Sequence, residues 1–162
     1  MNNQQKKLLK RFNNNLLVKT ISIFRLPMAF IAGLKIVHID ENICRVSTKL
    51  NFLTKNPFRS TYFAVLSMAA ELSTGLYALL FTTGAHPGVA LIITGLNAKF
   101  LKKATGTTTF TCLESNKLRD AVVQAQKTGE SAVTTVKSIG KNKEGETVAE
   151  FEFTWSFKQR KK

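Results

Sequence analysis

With 162 residues the chain is long enough for one domain with a substantial core and too short for two of ordinary size. Hydrophobic residues at 44% against charged residues at 21% exclude a disordered or low-complexity chain. A net charge of +14 points to an anionic partner, whether nucleic acid, anionic lipid or a phosphorylated small molecule, without choosing among them.

Residues 1–26 place Leu8, Leu9, Phe12, Leu16, Leu17, Ile21 and Phe24 at near-helical spacing against lysine and asparagine. This predicts one amphipathic helical segment of the same domain, open to a break around Asn13-Asn14-Asn15. A basic amphipathic helix is compatible with a membrane surface, but packing against its own domain is the simpler expectation. Lys19, Arg25 and Lys35 interrupt the apolar stretch that a secretory signal requires. The basic ends (Lys6, Lys7, Lys10 and Arg11; Lys158, Arg160, Lys161 and Lys162) read as solvated tails.

Phe30 to Ile39 is β-compatible, Asp40-Glu41-Asn42 forms a turn, and Ile43 to Leu50 alternates, giving a first hairpin. The apolar run from Val65 to Phe81 then predicts a long helix, capped by Ser60 or Thr61 and stopped by Gly84 and Pro87. It is apolar on nearly every face and so belongs inside the protein. Its hydroxyls and Glu71 argue against a membrane span. Gly88 to Leu101 and Thr107 to Glu114 are rich in β-formers on either side of Gly106 and imply another hairpin. Asn116 is placed to cap a short helix ending at Gly129. Ala132 to Gly140 alternates again, Asn142-Lys143-Glu144-Gly145 turns, and Val148 to Phe157 has the clearest period-two pattern in the chain. There Ala149, Phe151, Phe153, Trp155 and Phe157 share one face, as in an antiparallel strand with one covered side. About six strands and one buried helix imply an α+β fold, an antiparallel sheet curled around that helix.

Cys44 and Cys112 fall in strand patterns without metal-ligand spacing, so buried reduced thiols, and with them a cytoplasmic location, are expected. Lone His38 and His86 have no catalytic partners at suggestive spacing. A carboxylate in an apolar helix needs partners or a cavity. That singles out Glu71, with Asn56 and Tyr62 before or at a helix start whose free N–H groups can polarise a carbonyl oxygen.

Here the chain resembles the hotdog-fold thioesterases of the phenylacetyl-CoA type, which carry N-x-x-G-x-x-H-G-G, four residues, then apolar-x-Asp on the central helix. With Glu71 on the acidic position, Asn56 falls on the asparagine, Arg59 on the first glycine, Tyr62 on the histidine, and Phe63 and Ala64 on the glycine pair. Phe100-Leu101-Lys102-Lys103-Ala104 is similar to the family's aromatic-Leu-basic-Pro-Ala strand end, with Lys103 where proline is usual. Asn-Pro-Phe-Arg-Ser-Thr-Tyr-Phe, Met-Ala-Ala-Glu-Leu-Ser-Thr-Gly and the closing Trp-Ser-Phe-Lys look like an uncharacterised thioesterase-like branch, a domain of unknown function. The resemblance implies a hotdog domain over residues 27–162.

It further implies an acyl-CoA thioesterase in which Glu71 is general base or nucleophile. Asn56 orients water, Tyr62 donates to the thioester oxygen, and N–H groups around Phe63 and Ala64 hold the oxyanion. Lys99, Lys102 and Lys103 meet the phosphates of coenzyme A, which enters only as part of the substrate; no cofactor and no metal is expected. Arg59 either binds an anion or pairs with Glu71, and Ser67 and Thr94 are further pocket-lining candidates. The substrate is an acyl-CoA or acyl-carrier thioester, and the resemblance implies a homodimer or a dimer of dimers. A non-catalytic binder of acyl-CoA or fatty-acyl groups stays open, because the histidine and both glycines are replaced. Nucleic acid is not an expected partner, since the aromatics fall on core-facing positions.

Overall fold

The computed structural model describes residues 1–160, so Lys161 and Lys162 of the basic C-terminal run lie outside it. The N-terminal segment forms three helices rather than one: α1 (Asn3–Phe12), α2 (Asn15–Arg25) and α3 (Pro27–Ile31). The first break has a local cause. Asn13 bonds both ways with the backbone of Ile39, its Nδ2 donating to the carbonyl at 2.7 Å and its Oδ1 accepting from the N–H at 3.1 Å. Asn14 then caps the next helix by accepting from the Leu17 N–H. Asn2 and Gln5 form a reciprocal capping box on α1, and the Asn2 amide also reaches the carbonyls of Thr83 and Gly84. α3 replaces the expected start of a strand at Phe30. Pro27 at its first turn pre-sets a helical φ, and Gly33, at φ +66, turns the chain out of the helix.

β1 (Lys35–Ile39) and β2 (Cys44–Lys49) form the expected hairpin. Asp40 builds its turn by accepting from the N–H groups of Asn42 and Ile43. His38, 3.0 Å away, and those N–H groups hold the Asp40 carboxyl down to about 2.

The long helix is α4 (Phe63–Thr82). Its N-cap is Tyr62, without a side-chain cap; the expected caps are engaged elsewhere, Ser60 Oγ with Asn56 and Thr61 Oγ1 with the Ala104 carbonyl. β3 (Val89–Phe100), β4 (Thr107–Cys112), α5 (Ser115–Thr128), β5 (Ala132–Lys141) and β6 (Thr147–Gln159) complete the chain. α5 begins after Glu114 rather than at an Asn116 cap; Asn116 lies inside it and accepts from Arg119. It ends at left-handed Gly129 as expected.

All neighbouring strands are antiparallel, in the order β1-β2-β4-β5-β6-β3. The implied β3–β4 hairpin is therefore corrected. β3 pairs along its length with β6, while β4 lies between β2 and β5. The connection between them is stitched across the start of α4: Leu101 and Lys102 donate to the Val148 carbonyl, Thr61 to that of Ala104, and Leu50 to that of Gly106. Those bonds carry the chain from one edge of the sheet to its middle.

The sheet curls around α4. Phe151, Phe153, Trp155 and Phe157 of β6 are buried with Phe110 of β4 against Leu66, Ala69, Ala70, Tyr77 and Leu80, each aromatic contributing roughly 1.5–3 kcal/mol of burial. α4 is long and apolar enough to cross a membrane by length and composition alone, but it is mostly buried as the core helix of this sheet. β3 is an edge strand and leaves Leu91, Ile92, Leu96 and Phe100 exposed. Cys44 and Cys112 face each other across β2 and β4 as buried free thiols, and burial raises both, Cys112 to about 11.

Candidate functional site

The loop before α4 is organised by Asn56. Its Oδ1 accepts from the N–H groups of Phe58 and Ser60 and from Ser60 Oγ, at 3.0 to 3.2 Å. Its backbone N–H donates to the Ser60 carbonyl and its carbonyl accepts from Arg59. This tight loop forces Arg59 to a left-handed φ of +59, the one non-glycine residue at positive φ among those described.

The loop opens onto a groove of about 560 Å³ lined by Asn56, Tyr62, Phe63, Phe100, Lys102 and Lys103, among others. Tyr62 and Phe63 meet edge to face at 4.9 Å, and Phe63 meets Phe100 at 6.3 Å. Among the described residues, the N–H groups of Phe63 and Ala64 donate to no protein acceptor. They are the orphan donors of a helix start and carry its positive dipole end. The groove is thus apolar along its walls, with hydrogen-bond donors at one end and lysines at its rim. Lys102 is held 2.5 Å from Glu146, while neither Lys103 nor Arg59 makes an ion pair among the described residues. In particular, Arg59 does not pair with Glu71.

Glu71 lies elsewhere, about 12 Å along the helix from Phe63 at helical rise. It walls a cavity of about 310 Å³ with Met68, Leu72 and the Arg25–Met28 junction of α2 and α3. Its carboxylate makes no hydrogen bond or ion pair among the described residues, and burial raises its pKa above the usual 4.5. The carboxylate folds back over Gly75: a Cβ there would stand 2.6 Å from Glu71 Oε1 and 3.5 Å from the Trp155 ring. Beneath it Trp155 Nε1 donates to Thr74 Oγ1, which donates to the Glu71 carbonyl. The missing side chain of Gly75 therefore leaves the space in which the carboxylate rests. Gly75 stands four residues after Glu71, a helical-neighbour spacing that sequence reasoning passed over.

In one chain, then, the site residues fall into separate groups. Asn56, Tyr62, Phe63, Lys102 and Lys103 share the groove, and Glu71 has its own cavity. Ser67 Oγ is turned to the Phe63 carbonyl. Thr94 is the extra residue of a bulge in β3 and donates to the Thr154 carbonyl. Lys99 lies beside Glu150 and Lys137 in another depression, lined by neither Lys102 nor Lys103.

An antiparallel sheet curled around one long helix is the hotdog fold. Solved structures bear this out. A Pseudomonas aeruginosa protein described as "Probable Thioesterase" matches with a TM-score of 0.75 at 20% identity, over 90% of this chain and 95% of that one. A Chlorobaculum tepidum protein of unknown function gives 0.75 at 17%, over 96% and 94%. A Haemophilus influenzae thioesterase gives 0.66 at 14%, over 94% and 95%. At these identities the likeness establishes the fold. No curated protein matches the chain. Residues 14–157 match the domain of unknown function DUF4442, and the chain belongs to that family.

Proposed function

We propose that the protein is a thioesterase hydrolysing acyl-CoA, or an acyl-carrier thioester, as a homodimer in which Glu71 of one protomer serves the groove of the other. The observation that carries this reading is Glu71: an acid of raised pKa, without a partner among the described residues, walling a cavity on the central helix of a hotdog fold. A carboxylate so placed is a stronger base than one in water, which suits it to take a proton from an attacking water. The exposed β3 edge, with Leu91, Leu96 and Phe100 on the face that carries the core side chains of β6, favours pairing with a second copy.

In this reading Glu71 deprotonates water as it attacks the thioester carbon, or attacks directly to give a transient anhydride. The carbonyl oxygen becomes an oxyanion, and the Phe63 and Ala64 N–H groups hold it. Collapse breaks the C–S bond: on the water route the proton taken up by Glu71 passes to the leaving thiolate as the acid is released, and on the direct route water then hydrolyses the anhydride to the acid and free Glu71, its proton passing to the thiolate. Tyr62 donates to the thioester oxygen, and Asn56 has its amide nitrogen left for water, since its oxygen already holds the loop. Lys102 and Lys103 meet the coenzyme A phosphates at the groove rim.

One observation favours a second reading, a non-catalytic acyl-CoA or fatty-acyl binder. Phe63 and Tyr62 set two rings at the groove where the resemblance places glycine and histidine. Thiol release from acyl-CoA thioesters of graded length separates the two. Turnover lost in Glu71→Gln at equal folded concentration supports hydrolysis; binding of acyl-CoA without turnover by either protein supports the binder.

A further inference from the structure

We infer that the outward face of α2 and α3 docks on a bilayer surface containing anionic phospholipid. A helix packed on a soluble domain ordinarily presents its apolar stripe inward and polar residues outward. α2 does the first with Leu17 and Val18, both partly buried, Val18 against the core. Yet it also presents Leu16, Ile23 and Phe24 to solvent at helical spacing, with Leu16 78% and Phe24 81% exposed. Met28 and Ile31 of α3 extend this surface, at 63% and 51%. Packing within the chain explains none of these side chains.

Charge selects the occupant. The N-terminal helices and the first residue of β1 carry Lys6, Lys7, Lys10, Arg11, Lys19, Arg25 and Lys35, all exposed, and no acid precedes Asp40. A second copy seated on this face across a twofold axis would set like charges against each other. An anionic bilayer attracts them and takes up the apolar side chains at its headgroup boundary, the arrangement of interfacial amphipathic helices. Arg25, Leu26, Pro27 and Met28 also wall the Glu71 cavity, so the docking face begins at the rim of that cavity. The docking does not depend on whether Glu71 is catalytic.

The test is co-sedimentation of the full chain with phosphatidylcholine vesicles, with and without phosphatidylglycerol. The expected result is binding to the anionic vesicles alone, weakened by salt. Lys19→Gln should lose about fivefold in affinity, and the double variant Ile23→Ser, Phe24→Ser about tenfold or more, with its fold checked by circular dichroism. Phe24→Trp keeps the apolar surface, and its emission should shift to the blue on adding anionic vesicles. Failure to bind either vesicle, equal binding by parent and double variant, or an unshifted Phe24→Trp emission overturns the inference. So does a lipid-free change in oligomeric state in the double variant, which would mark the face as a protein contact.

Discussion

Arg59 holds a left-handed backbone at φ +59, at the position that the resemblance to the phenylacetyl-CoA-type thioesterases sets on the first glycine of their motif. An L side chain there is strained by roughly 1–2 kcal/mol, and glycine is not. Asn56 holds the loop in this conformation through the N–H groups of Phe58 and Ser60. Arg59→Gly should therefore hold or raise the denaturation midpoint, while Arg59→Val should cost about 1 kcal/mol or more; a destabilised Arg59→Gly would contradict this account. Glu71 makes a second prediction at the same scale. Its pKa is raised in the fold, so folding is favoured most below the unfolded value near 4.5 and loses stability as pH rises through the folded value. Glu71→Gln has no such charge to bury. Denaturant midpoints should show the variant gaining on the parent from pH 4.5 towards neutral, and a constant difference across that range would refute the buried-charge reading.

Gly140 shows how an element depends on a missing side chain. On β5 it lies opposite Phe110 of β4, and a Cβ there would stand 2.4 Å from that ring. Gly140→Ala must displace a fully buried aromatic and should cost about 1–3 kcal/mol in urea unfolding. Elements with a strong period of their own were legible in the sequence: the alternation of β6, the apolar run of α4, and the Asp40 turn between β1 and β2. What escaped it was set by partners distant in the chain. The asparagine run marked where the N-terminal helix breaks, but not that Asn13 breaks it by bonding Ile39; Thr61 is drawn from capping by the Ala104 carbonyl, and β3 pairs with β6 across the sheet instead of with its sequence neighbour β4. At the site, Asn56 and Glu71 stood out as residue types at a motif spacing. That they line different cavities of one chain did not, because helical rise separates Glu71 from the groove while the spacing alone reads as proximity.

For the whole molecule, the separation of Glu71 from the groove is the feature that gives pairing a purpose. A lone chain has an acid without oxyanion donors and donors without an acid. In the proposed homodimer, two chains joined along their β3 edges would supply both in a twofold arrangement. Mixed dimers test this most directly. One partner carries Glu71→Gln. The other carries Phe63→Pro, which removes a groove N–H at the first position of α4, where proline is tolerated and where Tyr62, at ψ 135, already has the backbone that precedes proline. Each variant alone should be inactive in thiol release from acyl-CoA. Unfolded together and refolded at equal amounts, they should regain about a quarter of the parent's activity, since half the dimers are mixed and each mixed dimer has one intact site. If the mixture stays as inactive as its components while mixed dimers form, Glu71 and the groove do not work across the pair, and the proposed site is contradicted.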